Sequence, residues 1–126
     1  MDNEDSPKQS QIITVPVRLV SEANTQDHWT KKYRRKKKVK HAIMTSLKNV
    51  EKPCLPCKVT LTRVSPRALD IDNLWSAQKI CIDVIADWII PGLAPGRADG
   101  QEGLEFDCKQ RKGKVREYAL EIKIVS

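Results

Sequence analysis

The chain has 126 residues, of which 40% are hydrophobic and 31% charged, and this is the size and composition of one folded domain. Its longest apolar stretches are interrupted by proline, glycine or charge, so the sequence predicts neither a membrane span nor a signal peptide, and we expect a cytoplasmic protein. The net charge of +7 is concentrated in one stretch, which indicates an anionic partner.

Hydrophobic periodicity predicts two helices, four strands and one long loop. In chain order, these are a disordered tail over residues 1–10, a strand over 12–19, a helix over 25–49, a strand over 58–64, a helix over 73–88, a Gly- and Pro-rich loop over 91–103 and a closing hairpin over 104–124. Pro16 indicates that the first strand is an edge strand or ends irregularly. The order predicts a single α+β domain over residues 11–126, with a mixed sheet of about four strands packed with two helices.

The first predicted helix carries a block of cations. Residues 31–40 hold eight positive charges, more than the net charge of the whole chain. An apolar stripe is expected to face the core, formed by Trp29, Tyr33, Val39, Ile43, Leu47 and Val50. The other faces would then offer cations to phosphate groups, although charge runs of this kind also occur as simple solvated faces.

Asp70 and Asp72 are the strongest candidates for chemistry. On an extended backbone, two acids two residues apart point the same way, and a cation between them relieves their repulsion. Hard carboxylate ligands suit Mg²⁺, with Mn²⁺ as the alternative. The ordinary explanation is that Asp72 or Asn73 caps the following helix, which accounts for one acid and leaves Asp70 beside Arg63 and Arg67.

The four cysteines carry a weaker signal. Cys54 and Cys57 have the spacing of half a zinc site or a redox pair, but no second pair of ligands follows them in the sequence. Cys81 and Cys108 lie on apolar stripes. The sequence therefore favours reduced, partly buried thiols over zinc or redox chemistry.

The order of these features resembles the RusA-type Holliday junction resolvases over about residues 12–125. The resemblance rests on Ile13-Thr14-Val15-Pro16 in the first strand, the basic helix, the strand with Val59 and Leu61, and Asp70-Ile71-Asp72-Asn73-Leu74 at the start of an amphipathic helix. It implies a RusA-like fold and a Mg²⁺-dependent homodimer that cleaves four-way DNA junctions and leaves a 5′-phosphate. It also implies a bacterial or phage-infected host cell as the setting.

The resemblance also implies roles for individual residues. Asp70 and Asp72 match the family's acid pair, and Asp99 is the choice for the third acid and metal ligand, with Asp87 and Asp107 as alternatives. The family has a lysine one turn into the helix, where this chain has Ser76, so Lys79 is the candidate for that catalytic role. The residues expected to bind DNA are Lys31, Lys32, Arg34, Arg35, Lys36, Lys37, Lys38, Lys40, Arg67, Arg111, Lys112 and Lys114.

Two other functions remain open from the sequence. A non-catalytic nucleic-acid-binding protein needs only the basic helix, with the aspartates reduced to helix capping. A small zinc-dependent interaction protein would be built on Cys54 and Cys57.

Overall fold

The computed structural model describes residues 10–21, 28–92 and 100–126. The described elements are β1 (Ser10–Val15), α1 (Trp29–Leu47), β2 (Cys57–Ser65), α2 (Ile71–Ile89), β3 (Leu104–Lys112) and β4 (Ala119–Val125). Two helices and one four-stranded mixed sheet confirm the predicted α+β class. The predicted tail lies outside the described residues except for Ser10, which already belongs to β1.

The sheet has the strand order β1, β4, β2, β3. The last strand, β4, lies between β1 and β2 and is antiparallel to both, whereas β3 is parallel to β2 and occupies the far edge. The predicted closing hairpin is therefore wrong, because β3 and β4 are separated by β2. Alternation of apolar residues identifies a strand but does not say which strand it pairs with. The edge position of β1, which ends just before Pro16, agrees with the prediction.

The topology sets the direction of both helices. Since β1, β2 and β3 all run the same way, the connections through α1 and through α2 are crossovers between parallel strands. Each helix begins where its preceding strand ends and runs back along the sheet. Both helices therefore begin at the end of the sheet where these three strands finish. We call this border the carboxyl end of the sheet.

The core lies between the helices and one face of the sheet. Fully buried side chains come from the central strands, such as Leu61 and Ile122, and from the inner face of α2, such as Cys81 and Ile85. The opposite face of the sheet carries polar side chains, because the strands alternate apolar and polar residues.

The first helix contributes to the core only through its second half. Val39, Ile43 and Leu47 are buried, but none of the side chains from residue 29 to 38 is. Trp29 is 69% exposed and Tyr33 55% exposed, so their assignment to the core-facing stripe is wrong. Helical spacing identifies one face of a helix, but it does not say how far along the helix the neighbouring elements reach.

Neither helix, nor any other in the described part of the chain, is both long and apolar enough to cross a membrane.

Candidate metal site and nucleic-acid interface

The start of α2 is built around the carboxylate of Asp70. Its Oδ1 accepts a hydrogen bond from the backbone N–H of Asn73 at 2.9 Å, and its Oδ2 accepts one from Asn73 Nδ2 at 3.0 Å. Asp70 is therefore the N-cap, which the sequence had assigned to Asp72 or Asn73, and Asp72 lies in the first helical turn. The backbone is extended at Asp70 and helical from Ile71 onward, so the two acids do not lie on one extended segment. Both carboxylates complement the positive end of the helix dipole.

Asn73 joins this cap to the segment that follows β1. The hydroxyl of the buried Ser21 donates to Asn73 Oδ1 at 2.8 Å, while the amide nitrogen of Asn73 holds Asp70. A carboxylate offers about four lone-pair positions, and these contacts use two of them. Asp70 is thus oriented by the protein and still retains acceptor positions toward solvent.

Two polar side chains on the inner face of the sheet fix the loop in front of Asp70. The guanidinium of Arg63 donates from Nε to the carbonyl of Leu19 at 3.1 Å and from Nη1 to the carbonyl of Arg67 at 2.9 Å. Gln110, near the end of β3, pairs with both backbone groups of Leu69. Its Nε2 donates to the carbonyl at 2.6 Å, and its Oε1 accepts from the N–H at 2.9 Å. The acid pair is therefore held from β2 and β3 as well as by its own helix.

Sequence reasoning missed both of these supports, although a signal was present. Arg63 and Gln110 continue the inward-facing positions of their strands, following Leu61 in β2 and Cys108 in β3. A polar residue in an apolar alternation is worth noticing because it must find partners once buried. Arg63 is only 7% exposed, and burial, followed by the charge of Arg18, lowers the pKa of its guanidinium.

Cations from three parts of the chain converge on the carboxyl end of the sheet. The first part is the beginning of α1, and the second is Arg67 in the loop before the acid pair. The third is the end of β3 with Lys112 and the connection to β4 with Lys114, which crosses the end of β2 where the N–H of Gly113 donates to Ser65 O at 2.9 Å. Lys112 thus ends a strand and Lys114 lies in a crossing loop, so neither occupies the predicted hairpin turn. Arg111 bonds Glu121 at 2.8 Å on the polar face of the sheet.

All eight cations of the basic block lie on α1. Lys32 and Arg35 are half-buried, and the others are exposed: Lys31, Arg34, Lys36, Lys37, Lys38 and Lys40. The helix has no acid in its first turn, so these charges add to the positive end of the helix dipole. This half of α1 is a strongly electropositive surface.

Lys79 lies two turns after Asp72 on the same side of α2. Its ammonium bonds Asp83 Oδ1 at 3.0 Å, an ion pair within the helix. Lys79 also lines an open concavity of about 280 Å³ together with Lys36 of α1 and with Ser76, Ile80 and Asp83. The residue proposed as catalytic therefore shares a concavity with the basic helix about 10 Å along α2 from Asp72, with part of its charge engaged by Asp83.

Asp99, the choice for the third acid, lies outside the described residues. The nearest described residues are Gly92, which follows the end of α2, and Gly100, which precedes β3. Both lie at the end of the sheet opposite the carboxyl end that holds Asp70. The two alternatives, Asp87 and Asp107, are distant from the pair. Asp87 lies roughly 25 Å along α2 from Asp70, at about 1.5 Å per residue, and Asp107 projects from the polar face of the sheet.

Within the described ranges, no three His, Cys, Asp or Glu side chains are arranged to hold a metal ion together. Two carboxylates with free acceptor positions nevertheless fit Mg²⁺, which usually keeps several of its waters and binds through one or two carboxylates plus substrate phosphates. Asp70 and Asp72 are therefore the residues that would hold such an ion.

The cysteines do not gather at one place. Cys54 is exposed, and Cys57 is buried at the start of β2. This is the end of the sheet opposite the carboxyl end, where the acid pair lies. Burial raises the pKa of the Cys81 thiol to about 12 and that of Cys108 to about 12. Such thiols are protonated and unreactive at neutral pH.

No protein-family model and no curated protein matches the chain.

Proposed function

We propose that this protein is a Mg²⁺-dependent endodeoxyribonuclease of the RusA type that cleaves four-way DNA junctions. The observation that carries the proposal is the shared position of two helix starts. Because α1 and α2 both begin at the carboxyl end of the sheet, the cations of one helix and the acid pair of the other face the same side of the molecule. A phosphate backbone attracted by α1 would pass the carboxylates of α2.

The residues of the chain have separate roles in this proposal. Asp70 and Asp72 hold the metal, with Asp70 oriented by Asn73 and Ser21. A Mg²⁺ held there would supply a bound water of lowered pKa and positive charge against the scissile phosphate. Lys79 adds positive charge near that phosphate. The exposed lysines and arginines of α1, together with Arg67, Lys112 and Lys114, hold the DNA through its phosphates.

The proposed substrate also favours a homodimer. Resolution of a four-way junction requires two cuts in symmetry-related strands, and a two-fold dimer matches that symmetry. Light scattering at micromolar concentration tests this part, because a strictly monomeric protein would contradict paired cleavage.

The decisive experiment is a nuclease panel in Mg²⁺ with a synthetic four-way junction, a linear duplex and a single strand. Wild-type protein is expected to cut the junction in preference to the other two. Asp70→Asn should lose cleavage and still bind the junction, because it removes a metal ligand without removing a cation. Glu105→Gln is the matched control, since it neutralises an exposed acid at the opposite end of the sheet. Cleavage by Asp70→Asn at the wild-type rate would refute the metal site.

A non-catalytic nucleic-acid-binding protein is the second candidate. Two observations favour it: Asp70 already has a structural role as the N-cap of α2, and no acid in the described residues joins the pair. This function predicts junction or duplex binding that is unchanged by Mg²⁺ and no strand cleavage by wild-type protein.

A further inference from the structure

The exposed aromatic side chains of α1 have no role in a helix that holds only phosphates. Trp29 is 69% exposed and Tyr33 55% exposed, and they lie four residues apart on one side of the helix. Single exposed apolar residues are common on protein surfaces. Two large rings in register within a run of cations are a different feature, because water is a poor environment for both rings and no core contact explains them.

The same side of α1 continues as a stripe of cations. Lys36, Lys37 and Lys40 follow Tyr33 at helical spacing, and the ammonium of Lys37 lies 5.5 Å from the centroid of the Tyr33 ring. Tyr33 and these lysines line one open groove of about 530 Å³ together with His41 and Met44 of α1 and Ile80 of α2. Of the two exposed aromatic residues, Tyr33 lines this groove, and Trp29 lies one turn before it on the same side of α1. Aromatic faces next to cations are typical of surfaces that bind unpaired nucleic-acid strands.

Trp29 also lies at about the same level along α1 as Asp70 and Asp72 do along α2. Lys36 shares a concavity with Ser76 and Lys79 of α2, and farther along, Met44 shares another with Val84 and Trp88, so the two helices run side by side in the same direction. Trp29 lies two turns before Lys36 on α1. Two turns before Ser76 and Lys79 on α2 are the residues from about 69 to 72, which contain Asp70 and Asp72.

We propose that Trp29 and Tyr33 stack on base faces that no neighbouring base covers and give the protein its preference for branched DNA over linear duplex. This inference rests on the proposed function for its substrate and adds base contacts to the phosphate contacts assigned there. The rise between residues four apart on a helix is about 6 Å, close to two steps of about 3.4 Å between stacked bases.

The proposed preference follows from which bases offer a free face. In a linear duplex each base is covered on both sides by its neighbours, so a protein ring has nothing to stack on away from the ends. In an open junction the last base pair of each arm has one uncovered face at the exchange point, and in a single strand the base faces are accessible. Phosphate contacts alone do not distinguish these substrates, because every one of them carries the same backbone charge.

The first test measures binding in Ca²⁺ or EDTA, without Mg²⁺, so that cleavage plays no part. Trp29→Leu and Tyr33→Leu keep an apolar side chain but remove the ring. Each should weaken binding to a four-way junction and to an oligo-dT strand about tenfold, while binding to a linear duplex changes less than about twofold. Tyr33→Phe should bind as wild type because stacking needs no hydroxyl. Ile12→Ala, which shortens a 70% exposed residue on edge strand β1, is the control and should change nothing.

The second test reports on Trp29 directly. In the Trp75→Phe, Trp88→Phe double variant, with its fold checked by circular dichroism, Trp29 is the remaining tryptophan. Its fluorescence should be quenched by saturating junction and oligo-dT, and much less by saturating duplex.

Three results would overturn the inference. The first is an equal loss of duplex and junction affinity in Trp29→Leu. The second is Trp29 emission that does not respond to bound oligo-dT. The third is Trp29 emission that changes with protein concentration in the absence of DNA, because this would place the rings against a second copy of the chain. The outcome is separable from the proposed function. A protein that shows the stacking results but never cuts in Mg²⁺ refutes only the nuclease, whereas a junction-cutting protein with unchanged Trp29→Leu binding refutes only the stacking.

Discussion

The two helices begin side by side at the carboxyl end of the sheet, but their first turns are electrostatic opposites. The first turn of α2 is capped by Asp70, whose carboxylate accepts from the N–H of Asn73, and it contains Asp72, so its own acids complement the dipole. The first turn of α1 is capped by the His28 side chain, which accepts from Thr30 N–H at 3.3 Å, and is followed by lysines and arginines. The positive end of the helix dipole is therefore compensated by acids of the same helix in α2, whereas the cations of α1 add to it.

This difference between the two helix starts indicates that one of them contributes to stability and the other to binding. The start of α2 is tied to the rest of the protein through Ser21, Arg63 and Gln110, whereas the first ten residues of α1 bury no side chain. Cations at the positive end of a helix dipole destabilise the free helix, and a bound polyanion reverses that effect. The beginning of α1 is therefore suited to a partner outside the chain, and the beginning of α2 to a fixed geometry.

The largest effect is expected from removing the charge of α1. If six or more cations contact phosphates, affinity for DNA should fall by about a thousandfold or more between 50 and 200 mM salt. The triple variant Lys31→Ala, Arg34→Ala, Lys38→Ala should reduce the slope of log affinity against log salt concentration by about 2.7, at about 0.9 per phosphate contact. Titrations by fluorescence anisotropy at several salt concentrations measure this slope.

A matched control separates local charge from net charge. Lys52→Ala, Lys58→Ala, Lys123→Ala removes the same charge from three exposed lysines away from the start of α1. Its salt dependence should stay close to that of the wild type. An equal decrease in both triple variants would show that the surface of α1 has no special role.

A smaller effect, on stability, is expected at the cap of α2. Asp70→Ala should lower the free energy of unfolding by about 1 kcal/mol, because the N–H of Asn73 loses its acceptor. Asp70→Asn should lower it less, because asparagine is an equally good cap and its amide oxygen can accept the N–H of Asn73, while only the hydrogen bond from Asn73 Nδ2 is lost. Urea denaturation of the two variants measures the difference. Equal stability of Asp70→Ala and wild type would contradict the capping role.

The smallest effect is expected from making α1 resemble α2. Lys31→Glu places an acid in the first turn of α1 and should raise the free energy of unfolding by about 0.5 kcal/mol at low salt. Lys38→Glu makes the same charge change beyond the first turn and should stabilise less. The gain should largely disappear in about 1 M salt, where exposed charges are screened. A destabilised Lys31→Glu variant would show that the lysine makes a contact worth more than its dipole penalty.

The sequence predicted local features well because local patterns determine them. The alternation in β2 and β4 and the apolar spacing of α2 identified these elements, and the acid pair was correctly expected at a helix start. It failed where distant parts of the chain decide the outcome. The partner of β3 is chosen by the α2 crossover, and the exposure of Trp29 depends on how far the sheet extends under α1.

The supports of the candidate site show the same division. That Asp70 caps the helix instead of Asp72 depends on a difference of two residues in where the helix begins, which sequence patterns do not resolve. Gln110 can hydrogen-bond Leu69 only because β3 ends beside the loop that leaves β2. This proximity is a consequence of the parallel pairing of the two strands.

The double role of Asp70 bears on how this protein can evolve. Functional residues are often kept at a cost to folding, so that stabilising changes erode activity. Here the carboxylate proposed to hold the metal is also the cap of α2, and its remaining lone pairs face solvent. Selection for a more thermostable protein would retain a capping side chain at this position, either aspartate or asparagine. Drift toward lower activity is therefore opposed twice for substitutions that also remove the cap, whereas a change to asparagine is opposed mainly through the metal.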